Sequence, residues 1–420
     1  MKFHWFAEVT YPHLPEDFPK RFRSAWVDPP PSLMDPQKVG ETYRMFIRLM
    51  EQADREGFDG LAVNEHHQTA FAMTPSPNLL AASLASNTTN AAILVIGDSL
   101  ALYRPPVRVA EEMAYLDCLS GGRLIAGFVF GTPMDSTYSY GTPPIELRER
   151  FHEARELILR SWREPEPFAF NGRYTKLRYV NPWPRPIQDP PPIWVPGSGS
   201  VETWDMVIDN DYCYGHLSFS GLRSAKPLVD QYWQHVAARN GNTNPHRMAF
   251  TQICCVAETD AQAEADYTEA VRYFYTHNPT HPGFATPPGY QSLASLRHQL
   301  ENGFGRGISA EDRIRAARGE MSFWEYDEKG YIIAGTPQRV AARLRELVTD
   351  LRVGQLIATL SMGDLPEETA AKNTALFGRE VIPQLQDIWQ EHPDHWTPAV
   401  SQARVAEHRQ ARVAVTGGTR

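Results

Sequence analysis

The chain has 420 residues, 42% of them hydrophobic, with 10 Trp, 17 Tyr and 19 Phe, which suits a large core and excludes general disorder. Forty-one basic residues against 50 acidic give a net charge of −9, which argues against a nucleic-acid or anionic-membrane partner. No run of 18 apolar residues occurs, and Met1 to Trp5 lacks a signal peptide's apolar stretch, so a soluble, cytoplasmic protein is expected.

In chain order, Lys2–Val9 reads as a first strand. After a proline-rich loop, Tyr43, Phe46, Ile47 and Met50 recur at helical spacing up to Gly57. Leu61–Val63 and Ile93–Ile96 follow as buried strands, then a helix carrying Val109, Met113 and Leu116 that Gly121–Gly122 stops. Leu124–Phe130 is the next strand, followed by a helix with Phe151, Ala154 and Ile158 on one face. Asn171–Gly172 marks a small hairpin over 168–180. Ile193–Val195, a Gly-Ser-Gly-Ser loop and a helix with Trp204, Val207 and Ile208 come next, then a strand over Tyr212–Leu217. A helix near 225–239, a strand over 248–257 and a helix over 260–276 continue the alternation, which residues 280–330 break. Thr336–Pro337 is an N-cap and first-turn pair for a helix with Val340, Leu344 and Leu347. Leu356–Leu360 is the last strand, a helix over about 366–390 closes a single unit ending near 395, and residues 396–420 read as a partly disordered tail, a helix from about 400 fraying at Thr416, Gly417 and Gly418.

Eight strand candidates, most followed by a helix, predict a parallel sheet covered by helices and, by their number, a closed (β/α)8 TIM barrel. No GxGxxG follows the first strand, which speaks against an open dinucleotide-binding sheet. The 34 prolines exceed the usual ~5% and mark long, stiff loops. Cys118, Cys213, Cys254 and Cys255 have no CxxC spacing, so ordinary reduced thiols and no metal site are expected.

In such a barrel, chemistry sits at the carboxyl ends of the strands. Glu65, His66 and His67 follow a strand directly and would face that mouth; a helix cap with surface imidazoles, or a metal site, are the competing readings. Gly197-Ser198-Gly199-Ser200 lies between a strand and a helix, where backbone N–H groups and hydroxyls can take a phosphate, or simply cap the helix. A third stretch runs from Arg104-Pro105-Pro106-Val107-Arg108 through Leu116-Asp117 to Ser120-Gly121-Gly122-Arg123.

Together these runs resemble the bacterial-luciferase-like family of flavin-dependent oxidoreductases. Gly127 with Gly131, Arg150-Phe151…Glu153, the Pro182–Trp194 segment, Gly335-Thr336-Pro337 and Val381-Ile382-Pro383 continue the match in order. The match spans residues 1–390 and is thin over 280–330. The resemblance implies a TIM barrel with an insertion at about 280–330, before the last helix–strand pair. It also implies reduced FMN from a separate NAD(P)H-dependent flavin reductase, and O2 activated as a flavin C4a-hydroperoxide that oxidises a small organic substrate. His66, with its neighbour His67, would serve in acid–base chemistry and Glu65 would orient a ring. Ser198, Gly199 and Ser200 would hold the phosphate. Gly97–Asp98 would form a distorted, even cis, backbone under the flavin, and Tyr138, Tyr140 and Trp194 are candidates for its wall. A homodimer is implied as well.

Two departures stand out. Phe130 replaces an arginine of the luciferases, so one phosphate or flavin contact is missing or supplied elsewhere, and Gly127-Phe128-Val129 replaces their reactive thiol. Neither bioluminescence nor a long-chain aldehyde substrate follows. Tyr11, Phe18, Trp26, Phe284 and Tyr290 in the loops suggest an apolar or aromatic substrate. A coenzyme F420-dependent dehydrogenase or reductase on the same barrel, a non-catalytic flavin-binding protein and a metal-dependent hydrolase are the alternatives.

Overall fold

Short runs of branched and small apolar residues form the eight parallel strands of the computed structural model, which describes residues 1–239, 241–279, 282–302 and 309–417. These are β1 (Lys2–Ala7), β2 (Gly60–Val63), β3 (Ala92–Ser99), β4 (Leu124–Val129), β5 (Ile193–Gly197), β6 (Cys213–His216), β7 (Met248–Val256) and β8 (Gln355–Ser361). Each pairs in parallel with its neighbour, and β8 returns to β1 while β6 pairs with β7, closing the barrel. A ninth short strand, Ile332–Gly335, pairs with the second half of β7.

The amphipathic segments form the outer layer: α1 (Pro36–Glu56), α2 (Pro77–Asn87), α3 (Val107–Ser120), α4 (Leu147–Arg163), α5 (Val201–Asp209), α6 (Gly221–Ala238) and α7 (Asp260–His277). Gly57 and Gly121 adopt left-handed conformations where α1 and α3 stop, as their positions predict. After α7, the insertion contributes α8 (Leu293–Asn302) and α9 (Ala310–Ala317) before α10 (Pro337–Asp350), whose N-cap Thr336 accepts from the Arg339 N–H. α11 (Glu367–Leu376) ends sooner than the helix expected over 366–390 and passes into two short, differently wound turns up to Leu385.

The barrel interior holds Phe6, Ala62, Leu94, Ile125, Trp194 and Ile357, and a second core lies between strands and helices. Trp194, expected beside a cofactor, belongs to the interior core: it is fully buried and its indole N–H donates to the Trp396 carbonyl at 2.8 Å. The tail is helical, and the helix runs on through Thr416 and Gly417. Residues 399–417 form helix α12, because Arg409 pairs with the buried Asp59 at 2.8 Å and Arg412 with Glu56 at 2.7 Å. Gly418, the other residue of the expected frayed end, lies outside the described residues.

The expected backbone distortion near Gly97–Asp98 is present as a register shift between β3 and β4 over Val95–Asp98. It is not a cis bond: the cis peptides among the described residues are Arg104–Pro105, Trp183–Pro184 and Asp189–Pro190. Close approach of two backbones explains the glycines. A Cβ at Gly97 would run into the Gly127 carbonyl, and one at Gly127 into the Val95 carbonyl. No helix among the described residues is long and apolar enough to cross a membrane.

Candidate active site

At the carboxyl end of the barrel a cavity of about 380 Å³ opens between the strand ends and the insertion, within the range of about 300–1,000 Å³ usual for small-molecule sites. Its walls include Glu8 and Trp26 after β1, Asn64, Glu65 and His66 after β2, Gly97 and Ser99 on β3, and Phe130 and Gly131 after β4. Ser198, Gly199 and Ser200 after β5, and Tyr290, Ser295 and Gln299 of the insertion, complete it. Of the aromatic residues expected around a substrate, Trp26 and Tyr290 line the cavity, whereas Tyr11 and Phe18 are buried in the core and Phe284 packs on Tyr138.

The two histidines separate. His66 lines the cavity, its ring edge-on to Trp26, and its Nδ1 lies 2.9 Å from Asp135 Oδ2. A carboxylate can only accept, so Nδ1 carries the proton and Nε2 is left for the cavity. Asp135 also accepts from the His67 backbone N–H and from the Thr132 hydroxyl, both at 2.7 Å. Burial opposes a charge on the His66 ring, yet the hydrogen bond and the charge of Asp135 outweigh it and raise the imidazole above its ordinary value. Burial likewise raises Asp135, but the bond to His66 prevails and holds this carboxylate low. The arrangement favours the protonated form of the ring, which can hold or release a proton at Nε2.

His67 turns away and donates through Nε2 to Glu65 Oε1 at 2.7 Å. Glu65 does orient a ring, but that of His67, while Asp135 orients His66. The Ser99 N–H at 2.5 Å and the Tyr103 hydroxyl at 3.2 Å complete the donors to Glu65. Asp98 points outward from β3, where Asn78 and Tyr103 each donate to it at 3.1 Å; burial first, then the charge of Glu65, raises its pKa well above the usual carboxylate range.

Across the mouth, the Ser198–Ser200 turn precedes α5, with Gly199 at φ +104°. Arg148, at the start of α4, brings Nη2 to 3.3 Å from Ser200 Oγ, while its enclosed Nη1 has no partner among the described residues. Its guanidinium lies 4.8 Å from the centre of the Phe130 ring. The residue standing in the family arginine's place therefore supports a different arginine at the same loop. Glu202 accepts from Ser200 at 2.9 Å and from Ser295 at 2.6 Å. Burial would raise this carboxyl, but hydrogen bonds from Ser292 and Ser295, with the charge of Arg148, hold it down to about 2.

Tyr138 lies half exposed outside the cavity, its hydroxyl donating to the Gly283 carbonyl at 2.8 Å. Tyr140, also half exposed, stacks obliquely on His67 at 4.3 Å. Sequence reasoning missed Glu8, Asp135 and Arg148; the only local sign of them is their place just after β1, just after β4 and at the first turn of α4. Among the described residues no three His, Cys, Asp or Glu side chains gather as metal ligands.

A family model described as luciferase-like monooxygenase matches residues 22–353. Limonene 1,2-monooxygenase from Rhodococcus erythropolis is 30% identical over 263 residues, 59% of this chain and 64% of that protein. The oxygenase component of the flavin-dependent trigonelline monooxygenase from Acinetobacter baylyi is 31% identical over 165 residues, 38% of this chain and 45% of its own length. Among solved structures, the oxygenating constituent of 3,6-diketocamphane monooxygenase from Pseudomonas putida, in complex with FMN, superposes with a TM-score of 0.60 at 18% identity. That match covers 82% of this chain and 93% of the other.

Proposed function

Because the chain belongs to the luciferase-like monooxygenase family, we propose that it is the oxygenase of a two-component flavin system. In this reading it takes reduced FMN from a separate NAD(P)H-dependent reductase and uses O2 to oxidise a small organic substrate. One observation carries the proposal: a single cavity has an anion-receptive turn with an unpaired Arg148 nitrogen at one wall and the Asp135-paired His66 at another. The orphaned Nη1 is what a phosphate fits. Arg148, Ser198, Gly199 and Ser200 would hold that group, and Gly97, which lines the cavity without a side chain, leaves room for the ring. Reduced flavin, when bound, supplies the electrons that activate O2. His66 then holds a proton at Nε2 facing the reacting centre, Glu65 and His67 brace the strand end from behind, and Trp26, Phe130 and Tyr290 restrict water.

The reductase partner follows from the likeness to a protein described as an oxygenase component. Exposed Leu79 on α2 with Tyr115 and Leu119 on α3 supports a homodimer through these neighbouring helices. Purified protein should bind FMN and consume O2 and reduced FMN in a substrate-dependent way across a panel of small organic compounds. Tight binding of F420 with no affinity for FMN would replace this reading with a deazaflavin dehydrogenase. His66→Ala should lower turnover by about 100-fold or more while leaving FMN binding nearly unchanged; equal turnover would remove His66 from the chemistry.

A further inference from the structure

Glu8 follows β1 directly and lines the cavity while being only 4% exposed. The first and fifth strands of an eight-stranded barrel lie on opposite sides, so Glu8 faces the Ser198–Ser200 turn from the far wall. Its Oε2 accepts from Asn64 Nδ2 at 2.7 Å, and Asn64 Oδ1 in turn accepts from Thr74 Oγ1 at 3.0 Å. Oε1 has no hydrogen-bond partner among the described residues.

The contrast with the other enclosed carboxylates is informative. Asp54 is satisfied by the N–H groups of Thr89, Asn90 and Ala91, and Glu65 by His67, Ser99 and Tyr103. A buried ionised carboxylate needs such donors, and Glu8 has one. Burial, the strongest influence, pushes Glu8 up toward its neutral form; His66 and Asn64 pull it down and Asp135 pushes it up. With Asn64 donating to Oε2, the acid proton belongs on Oε1, the oxygen without a partner among the described residues on a side chain that lines the cavity.

We propose that Glu8 is a specificity-determining residue: its Oε1 presents a proton to the cavity and hydrogen-bonds an acceptor atom, a carbonyl, ether oxygen or ring nitrogen, on an otherwise apolar substrate. The rest of that substrate packs on Trp26 and Phe219, which line the same cavity. The inference rests on the reading above only in calling the ligand a substrate.

Three probes of nearly equal shape test it: acetophenone, ethylbenzene and 1-phenylethylamine, their affinities measured by ligand-observed NMR on the full chain, alone and with FMN. The wild type should prefer the ketone to the hydrocarbon by about five-fold. Glu8→Met, similar in shape but without a donor, should bring the two within about two-fold, and Glu8→Gln, whose amide still donates, should restore most of the preference. A preference that survives Glu8→Met overturns the proposal. So does a wild type that binds the amine best, because that identifies an ionised carboxylate, or one that shows no preference. Should Glu8→Met fail to fold, the three wild-type affinities and Glu8→Gln still decide. Failure to bind FMN would overturn the cofactor reading and leave the ketone ratio standing, whereas a missing ratio with intact FMN binding would overturn the role of Glu8 alone.

Discussion

His66 owes its charge to Asp135, 69 residues away in sequence. Without that carboxylate, burial is left as the main influence and would pull the ring below its ordinary value. In Asp135→Asn, the His66 titration followed by NMR should therefore move to lower pH, with the protein still folded. The linkage has a sign. Because the folded imidazole sits above its unfolded value, the pair's contribution to stability is fully present below about pH 6.5 and is lost as pH rises through the folded value. An unmoved titration would mean that the 2.9 Å contact is not the source of the charge. Arg148 allows a comparable test with two ligands that differ only in phosphate. Arg148→Ala should weaken FMN binding by about ten-fold or more in calorimetry and leave riboflavin almost unaffected; equal losses for both would place Arg148 at the ring instead. Neither residue is marked by a local motif. Glu65-His66-His67 is legible because all three residues sit together after a strand, whereas Asp135 and Arg148 become site residues only when loops from β2, β4 and β5 converge.

Helix α12 shows why a polar, Arg- and Ala-rich sequence can be ordered. Asp59 between α1 and β2 is buried, and although burial opposes its charge, Arg409 and Lys2 hold it well below the usual carboxylate range. Arg409→Ala should cost about 2–4 kcal/mol in urea denaturation, since it removes the strongest cation from a buried charge and leaves it the Phe3 N–H at 2.9 Å and Lys2 at 3.7 Å. The depressed folded value means that this contribution is present above about pH 3.9 and is lost as pH falls below it, so variant and wild type should converge in acid. A constant difference down to pH 2 would point to lost packing instead. The eight barrel strands were readable because each is a short apolar run between turn signals. Helix α2 was not, since its buried positions are Pro77, Asn78, Ala81, Leu84 and Ala85 and present no broad apolar stripe. The short strand Ile332–Gly335 stayed hidden because four residues after an irregular insertion carry no periodicity. Trp194 was misassigned because a strand end specifies height in the barrel poorly: its neighbour Pro196, two residues on, reaches the cavity, while Trp194 meets Trp396 below it.

Across the whole molecule, a net charge of −9 opposes a bound phosphate only weakly, because the Arg148 nitrogen and the start of α5 act at contact distance while more remote charges are screened. The stronger global consequence comes from how the insertion is fastened. Tyr290 donates to the Gly131 carbonyl at 3.0 Å on the β4 side, and Ser295 donates to Glu202 beside the anion turn on the β5 side. The first bond is worth about 0.5–1.5 kcal/mol and the second, to a charged acceptor, about 1.5–3 kcal/mol, so the insertion can open locally while the barrel stays folded. A ligand touching both Arg148 and the underside of Tyr290 favours the fastened state, and linkage requires that fastening favour the ligand equally. Hydrogen exchange of the backbone over 290–299 should consequently slow when FMN is added, together with exchange over 198–203. Tyr290→Phe should speed exchange over 290–299 in the free protein and weaken FMN binding by up to about ten-fold, in proportion to the protection lost. Protection by FMN confined to 198–203 would show that the insertion and the anion turn act independently, and the tyrosine variant would then bind FMN as the wild type does.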